Sequence, residues 1–164
     1  GADVILIPEI AFDYDVICRK VSEREREGKQ FTIVIAAEGA RPVNGVYVTR
    51  DANNANREAR LGGVGMNIAA ELEARTGHEA RCVILGHLQR GGSPSPWDRQ
   101  LCTRFGVLAV QLVADGKFGT MVALTPDGMA PVSLVDAISK VRLVQTDSEM
   151  VQVARALGIS FGAL

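Results

Sequence analysis

Short apolar runs alternate with segments of helical periodicity along this 164-residue chain, and that alternation restricts the fold more than any single motif does. Val4-Ile5-Leu6-Ile7, ended by Pro8, reads as a buried parallel strand. Asp13 is placed to cap a helix ending near Gly28, with Tyr14, Ile17 and Val21 at helical spacing. Phe31-Thr32-Ile33-Val34-Ile35-Ala36-Ala37 is a second strand, and it delivers Glu38-Gly39 at its carboxyl end. The spacing of Val64, Ile68 and Leu72 predicts a helix over 64–75, stopped by Gly77, before a third strand over 80–85. Ser95 as N-cap, Pro96 in the first helical position and Asp98 in the first turn open another helix. Its expected buried stripe is Leu101, Phe105, Leu108 and Leu112. Met121-Val122-Ala123-Leu124 is a strand, Ser133 with Asp136 opens a short helix, and Thr146 with Glu149 is a capping-box signature for the last one. Such alternation predicts an α/β fold with a mostly parallel sheet flanked by helices.

Between 40 and 63 the pattern dissolves into Pro, Asn, Gly and Arg, with room for a short strand at Val46-Tyr47-Val48. Arg50, Arg57 and Arg60 in this stretch read as a solvated loop.

Ligands in parallel sheets bind beyond the carboxyl ends of strands, and one such end is unusually explicit. Gly86-His87-Leu88-Gln89-Arg90-Gly91-Gly92-Ser93-Pro94 follows the run Cys82-Val83-Ile84-Leu85. Glycines let an anion approach the backbone, Arg90 offers a planar fork of donors, and His87 adds another. A phosphate is the natural guest. Taken alone, His87 is also compatible with a structural role at a strand end. Glu38 could equally face a helix dipole or Arg41, and Arg81 could be a surface ion-pair residue.

The net charge of −1 supplies no basic field for nucleic acid or an anionic membrane. No apolar run approaches the ~20 residues of a membrane span, and no signal peptide is visible. Cys18, Cys82 and Cys102 are odd in number and widely spaced, which reads as buried reduced thiols and a cytoplasmic setting. The alternating signs from Glu23 to Glu27 read as a solvated helix face. A chain opening at Gly1 and entering a strand almost at once suggests a piece of a longer polypeptide.

The glycine turn, preceded by Glu79-Ala80-Arg81-Cys82-Val83-Ile84-Leu85, resembles the carboxyl-terminal half of 6-phosphofructokinases of the bacterial type. The likeness extends through Ile7-Pro8-Glu9, Gly28-Lys29, Ala37-Glu38-Gly39, Trp97-Asp98-Arg99 and Phe118-Gly119-Thr120-Met121-Val122. It implies that Glu38 hydrogen-bonds hydroxyls of fructose 6-phosphate and that His87 and Arg90 hold its 6-phosphate. It further implies that Arg81 reaches the same phosphate from a neighbouring subunit, hence a homo-oligomer of at least two copies, with a tetramer as the family habit. Gly1, Asp3 and Lys29 align with the regulatory nucleotide site of the short enzymes. The stretch from Glu38 to Arg81 matches the longer form instead, so no effector site is assigned. The resemblance also implies two lobes with a chain crossover. Residues 1–90 would form the sugar-phosphate lobe, 91–139 would belong to the nucleotide lobe, and 140–164 would return as a terminal helix.

Phosphoryl transfer also needs a base, Mg²⁺ and a donor-cradling loop. In the family these lie upstream, so no catalytic or metal-binding residue is expected here, and Asp13, Asp15 and Asp51 read as a cap or as loop acids. The donor, ATP or pyrophosphate, is left open. The expectation is the acceptor-binding part of a glycolytic 6-phosphofructokinase. A non-catalytic sugar-phosphate-binding or assembly module is the alternative, and a generic nucleotide-binding domain a further one.

Overall fold

A computed structural model describes residues 1–45 and 63–164; the expected strand at 46–48 and Arg50, Asp51, Arg57 and Arg60 lie outside the described residues. The order of elements is β1 (Val4–Leu6), α1 (Tyr14–Arg26), β2 (Val34–Ala36), α2 (Val64–Thr76), a 3-10 helix (Gly86–Arg90), α3 (Pro96–Ala114), β3 (Thr120–Thr125), β4 (Gly128–Ser133), α4 (Leu134–Ile138) and α5 (Glu149–Ala156). The chain divides into two compact units, Gly1–Ile84 with Leu143–Leu164, and Leu85–Arg142. These boundaries carry the glycine turn, with His87 and Arg90, into the second unit.

In the first unit β1 and β2 pair in parallel, Val4 opposite Val34 and Leu6 opposite Ala36. The short apolar run needs a neighbour to become a strand, and the returning tail supplies another on the far edge of β1. Ile5 N–H donates to the Ser160 carbonyl at 2.8 Å, and Ser160 N–H donates to the Asp3 carbonyl at 3.0 Å. Val4 and Leu6 point into a core with Phe12, Ile17, Ala40, Val64, Ile68 and Leu72. The face of α2 expected from its spacing is therefore the face it buries. Asp13 caps α1 by accepting from Asp15 N–H at 2.8 Å. The helix closes with Gly28 N–H on the Glu25 carbonyl and Lys29 N–H on the Arg24 carbonyl, a Schellman cap. Gly162, at φ +71°, packs so tightly that a Cβ would lie 2.7 Å from Phe12 Cβ and 2.8 Å from Leu6 Cδ2.

The second unit holds α3 and an antiparallel hairpin, β3 with β4, in which Thr125 faces Gly128. β4 is absent from the sequence reading, although Thr125-Pro126-Asp127-Gly128 carries a turn signal. Pro131 is tolerated because β4 has an unpaired edge among the described residues.

Several sequence expectations need correction. Residues 80–85 form no strand: no neighbour pairs with them among the described residues, and Val83 is 77% exposed and Ile84 54%. An apolar run supplies β-propensity, but a strand exists only through ladder bonds to a partner. The last helix is capped at Ser148 rather than Thr146, and Ser148 makes no side-chain capping bond. No cysteine is fully buried: Cys18 and Cys82 are partly covered and Cys102 is exposed, all three as free thiols. Arg24 leaves the otherwise solvated face of α1 to pair with Asp3 at 2.8 Å.

Candidate functional site

The glycine turn folds as a single 3-10 helix, Gly86–Arg90, entered through Gly86 at φ +50°, a backbone angle that disfavours any side chain there. With three residues per turn, side chains three apart eclipse one another. His87 and Arg90 are three apart, so the local winding stacks the two cationic-capable groups on one side of the turn. Both are exposed, and neither is held by a hydrogen bond or ion pair among the described residues. Gly91 N–H closes the turn on the Leu88 carbonyl at 3.0 Å.

The start of α3 lies just beyond. Two donors there are satisfied from within: Asp98 N–H donates to Ser95 Oγ at 3.2 Å, and Ser95 N–H donates to Asp98 Oδ2 at 2.8 Å. The Ser95 hydroxyl also donates to Asp98 Oδ2, at 2.7 Å. These bonds hold the Asp98 carboxyl below its ordinary pKa. A carboxylate thus stands at this helix start, where it disfavours a second anion.

The other two sugar-site candidates belong to the first unit. Glu38 follows β2 directly and is exposed, with no hydrogen bond or ion pair among the described residues. Arg81 is 83% exposed and its Nε donates to Glu79 Oε1 at 2.9 Å. One of its donors is thus engaged locally. His87 and Arg90 thus share one turn of the second unit, and Glu38 and Arg81 belong to the first.

Of the residues aligned with a regulatory site, Asp3 is occupied structurally. It pairs with Arg24 and accepts from Ile33 N–H at 2.8 Å, tying β1 to α1 and to the approach of β2. Gly1 is exposed at the chain start. Lys29 borders a cavity of about 470 Å³ that the sequence reading missed, lined also by Phe31, Val34, Ile68, His78 and Cys82. His78 Nε2 lies 2.7 Å from Glu25 Oε1 at its margin.

Among the described residues no three His, Cys, Asp or Glu side chains gather as a metal site. No described helix is long and apolar enough to cross a membrane.

Comparison with known proteins now decides the family. The phosphofructokinase family model matches residues 1–113. The chain belongs to the phosphofructokinase family. It is 48% identical, over 99% of its length, to an ATP-dependent 6-phosphofructokinase of Chloroflexus aurantiacus, of which it covers 44%. It is 46% identical over 145 residues to a pyrophosphate–fructose 6-phosphate 1-phosphotransferase of Streptomyces coelicolor, covering 88% of this chain and 42% of that protein. The chain thus spans less than half the length of the relatives it matches. Among solved structures it resembles the phosphofructokinase of Pichia pastoris, with a TM-score of 0.57 and 32% identity over 84% of this chain and 15% of that one. The fold is also that of a pyrophosphate-dependent phosphofructokinase from Marinobacter aquaeolei, with a TM-score of 0.64 over 98% of this chain and 41% of that one, at 19% identity. The α/β architecture expected from the alternation of elements is the family's.

Proposed function

We propose that this chain is the acceptor-binding part of a cytoplasmic 6-phosphofructokinase, which transfers a phosphoryl group to the 1-hydroxyl of fructose 6-phosphate and yields fructose 1,6-bisphosphate. The observation that carries the reading is the 3-10 turn: His87 and Arg90, three residues apart, are exposed and have no carboxylate partner among the described residues. Charge-assisted bonds from such groups to a phosphate fix the far end of the sugar. Glu38, a carboxylate with no partner among the described residues, is suited to accept from sugar hydroxyls and so set the ring's orientation. Arg81, once released from Glu79, adds a further cation, and we assign it to the phosphate of a neighbouring subunit, which requires a homo-oligomer. Sugar-phosphate recognition is assigned to residues 1–90, with 140–164 returning to it, and 91–139 to the nucleotide lobe.

Holding the acceptor in line with the donor supplies much of the catalysis in phosphoryl transfer. Mg²⁺ would balance charge on the donor, ATP or pyrophosphate, and its ligands are assigned to polypeptide outside this chain. Relatives of both donor types match this chain, at 48% identity over 99% of it and 46% over 88%.

The test is kinetic, in the intact enzyme that contains this sequence. Arg90→Ala should raise the KM for fructose 6-phosphate by roughly 10- to 100-fold, the loss expected for a hydrogen bond to a charged group. The KM for the donor should stay within about twofold. An unchanged sugar-phosphate KM removes the assignment. Fructose 6-phosphate binding by an intact polypeptide that shows no phosphoryl transfer would favour the non-catalytic module.

A further inference from the structure

The turn that follows β1 carries a carboxylate that the sugar-phosphate reading does not use. Ile7-Pro8-Glu9-Ile10 closes with the Ile10 N–H on the Ile7 carbonyl at 3.2 Å. Pro8 stands second in it, where a fixed φ preorganises the bend. Fully buried residues flank the turn in sequence, Val4 and Leu6 before it and Phe12 after it. Glu9 Oε1 accepts from the Val144 N–H at 2.9 Å, across 135 positions of sequence. Its other oxygen, Oε2, is closed off from solvent as well. A carboxylate covered in this way has lost hydration, so Glu9 is no solvated surface acid, and its charge-assisted bond offsets part of that cost.

The segment that receives this bond is the opposite in character. Residues 139–148, between α4 and α5, are irregular, with Val141 82% exposed and Leu143 67%. The second unit ends at Arg142 and the chain re-enters the first at Leu143, so Val144 is the second residue after re-entry. From Lys140 to Leu143 no group makes a hydrogen bond or ion pair among the described residues. Beyond Val144 the chain is held repeatedly. The Ser148 N–H closes a turn on the Gln145 carbonyl at 3.0 Å, Val151 of α5 is buried, and Ser160 bonds β1. Glu9 is therefore the first hold that the returning chain meets.

We infer that Glu9 is a latch on this return: its carboxylate fixes the backbone at Val144 and keeps the stretch from Lys140 to Val144 from opening as one piece. The arrangement suits that role, because a preorganised turn presents the acceptor to a segment with no structure of its own. Little further ordering is needed on the side of Glu9, and the entropy lost in the segment is set against a bond to a charged group. Released from Glu9, the run from Lys140 would be free as far as the turn at Gln145. The place at which the chain returns to the first unit is thus set ahead of α5, by one side chain. The inference does not rest on the identity of the sugar phosphate.

Amide hydrogen exchange and limited trypsin digestion of the intact enzyme that contains this sequence test it. In the parent protein the Val144 amide should exchange roughly tenfold or more slowly than that of Leu143, as a bond to a charged acceptor requires. Glu9→Ala should remove that protection and speed cleavage after Lys140 and Arg142 by roughly tenfold, since cleavage follows the open population. Glu9→Gln, which keeps a carbonyl acceptor, should restore most of both. The Ile5 and Ser160 amides, bonded between β1 and the tail, should stay protected in all three proteins, which separates opening of the latch from unfolding. A Val144 amide as fast as that of Leu143 in the parent overturns the inference even where Glu9→Ala does not fold. Unchanged cleavage in a folded Glu9→Ala overturns it too. So does a Glu9→Gln that behaves as Glu9→Ala, which would trace the effect to charge rather than to the bond. Loss of Ile5 and Ser160 protection together with that of Val144 would make Glu9 a general stabiliser, and likewise ends the idea of a latch.

Discussion

The two units bury themselves to very different degrees. Of the hydrophobic residues buried among the described ones, Val4, Leu6, Phe12, Val16, Ile17, Ala40, Val64, Ile68, Leu72, Val151 and Phe161 all belong to the first unit, and Leu112 alone to the second. Yet the second unit is not polar. Val107, Val110, Val113, Val135, Ile138 and Val141 are apolar and exposed, and α3 has the best-formed cap in the molecule. Local signals suffice to form its helix and hairpin, while a core requires surfaces from elsewhere. The first unit does gather a buried cluster of its own, around Val4, Leu6, Phe12 and Ile17. The proposed phosphate turn stands on the unit that does not.

Core truncation should separate the two most strongly. Phe12→Ala removes a fully buried ring in edge contact with Tyr14 at 5.2 Å between centroids, and should cost about 3–5 kcal/mol. Phe105→Ala, on the partly covered stripe of α3, should cost about 1 kcal/mol or less. Urea titration followed by circular dichroism reads the whole chain. Fluorescence of Trp97, the single tryptophan, reads the second unit. Equal losses for the two variants would show that the second unit has a core after all.

Thiol chemistry gives a smaller but sharper contrast. Burial pushes the Cys18 thiol up, against a partial opposing pull from Arg75. Cys102 lies exposed on α3. Because the thiolate is the nucleophile, iodoacetamide at pH 8 should modify Cys102 first and Cys18 last, by roughly tenfold or more in rate. Mass spectrometry of the quenched reaction resolves the order. A faster Cys18 would mean that α1 is less well packed than its buried Val16 and Ile17 indicate.

How much of this was legible beforehand depended on whether the deciding partner lay nearby in sequence. The Asp13 cap, the Val64, Ile68 and Leu72 face, and the Ser95–Asp98 start were readable because caps and helical faces are set within a few residues. The stripe of α3 was right in position: Leu101, Phe105 and Leu108 are its less exposed residues and Leu112 its buried one. Residues 80–85 were misread as a formed strand because a strand is decided by a distant neighbour, and here none of the described residues provides one. β4 is announced only by its turn, Pro126-Asp127-Gly128, because Pro131 within it argues against a strand until its pairing with β3 is known. At the proposed site, the pairing of His87 with Arg90 follows from three-residue spacing. The ion pair of Arg81 with Glu79 depends on rotamers that no pattern reveals.

The smallest effect expected concerns the start of α3, and its sign is fixed by the bonds at Asp98. The carboxyl is held below its ordinary value of 3.8, first by the Ser95 hydroxyl and then by the Ser95 N–H. A lowered folded-state pKa means that the unfolded chain binds the proton more readily. The cap therefore contributes fully above about pH 4 and is lost as pH falls through the lower, folded value. Trp97 is the neighbouring residue, so its fluorescence should report fraying of the first turn in that acid window. Asp98→Asn should abolish this acid limb. Ser95→Ala should weaken the helix start by about 1 kcal/mol at neutral pH. It should also move the limb up toward pH 4, since the first-ranked cause of the shift is gone. Should the limb stay unmoved in Ser95→Ala, the capping box would not be what organises this helix. The second unit would then depend on outside contacts even for its local structure.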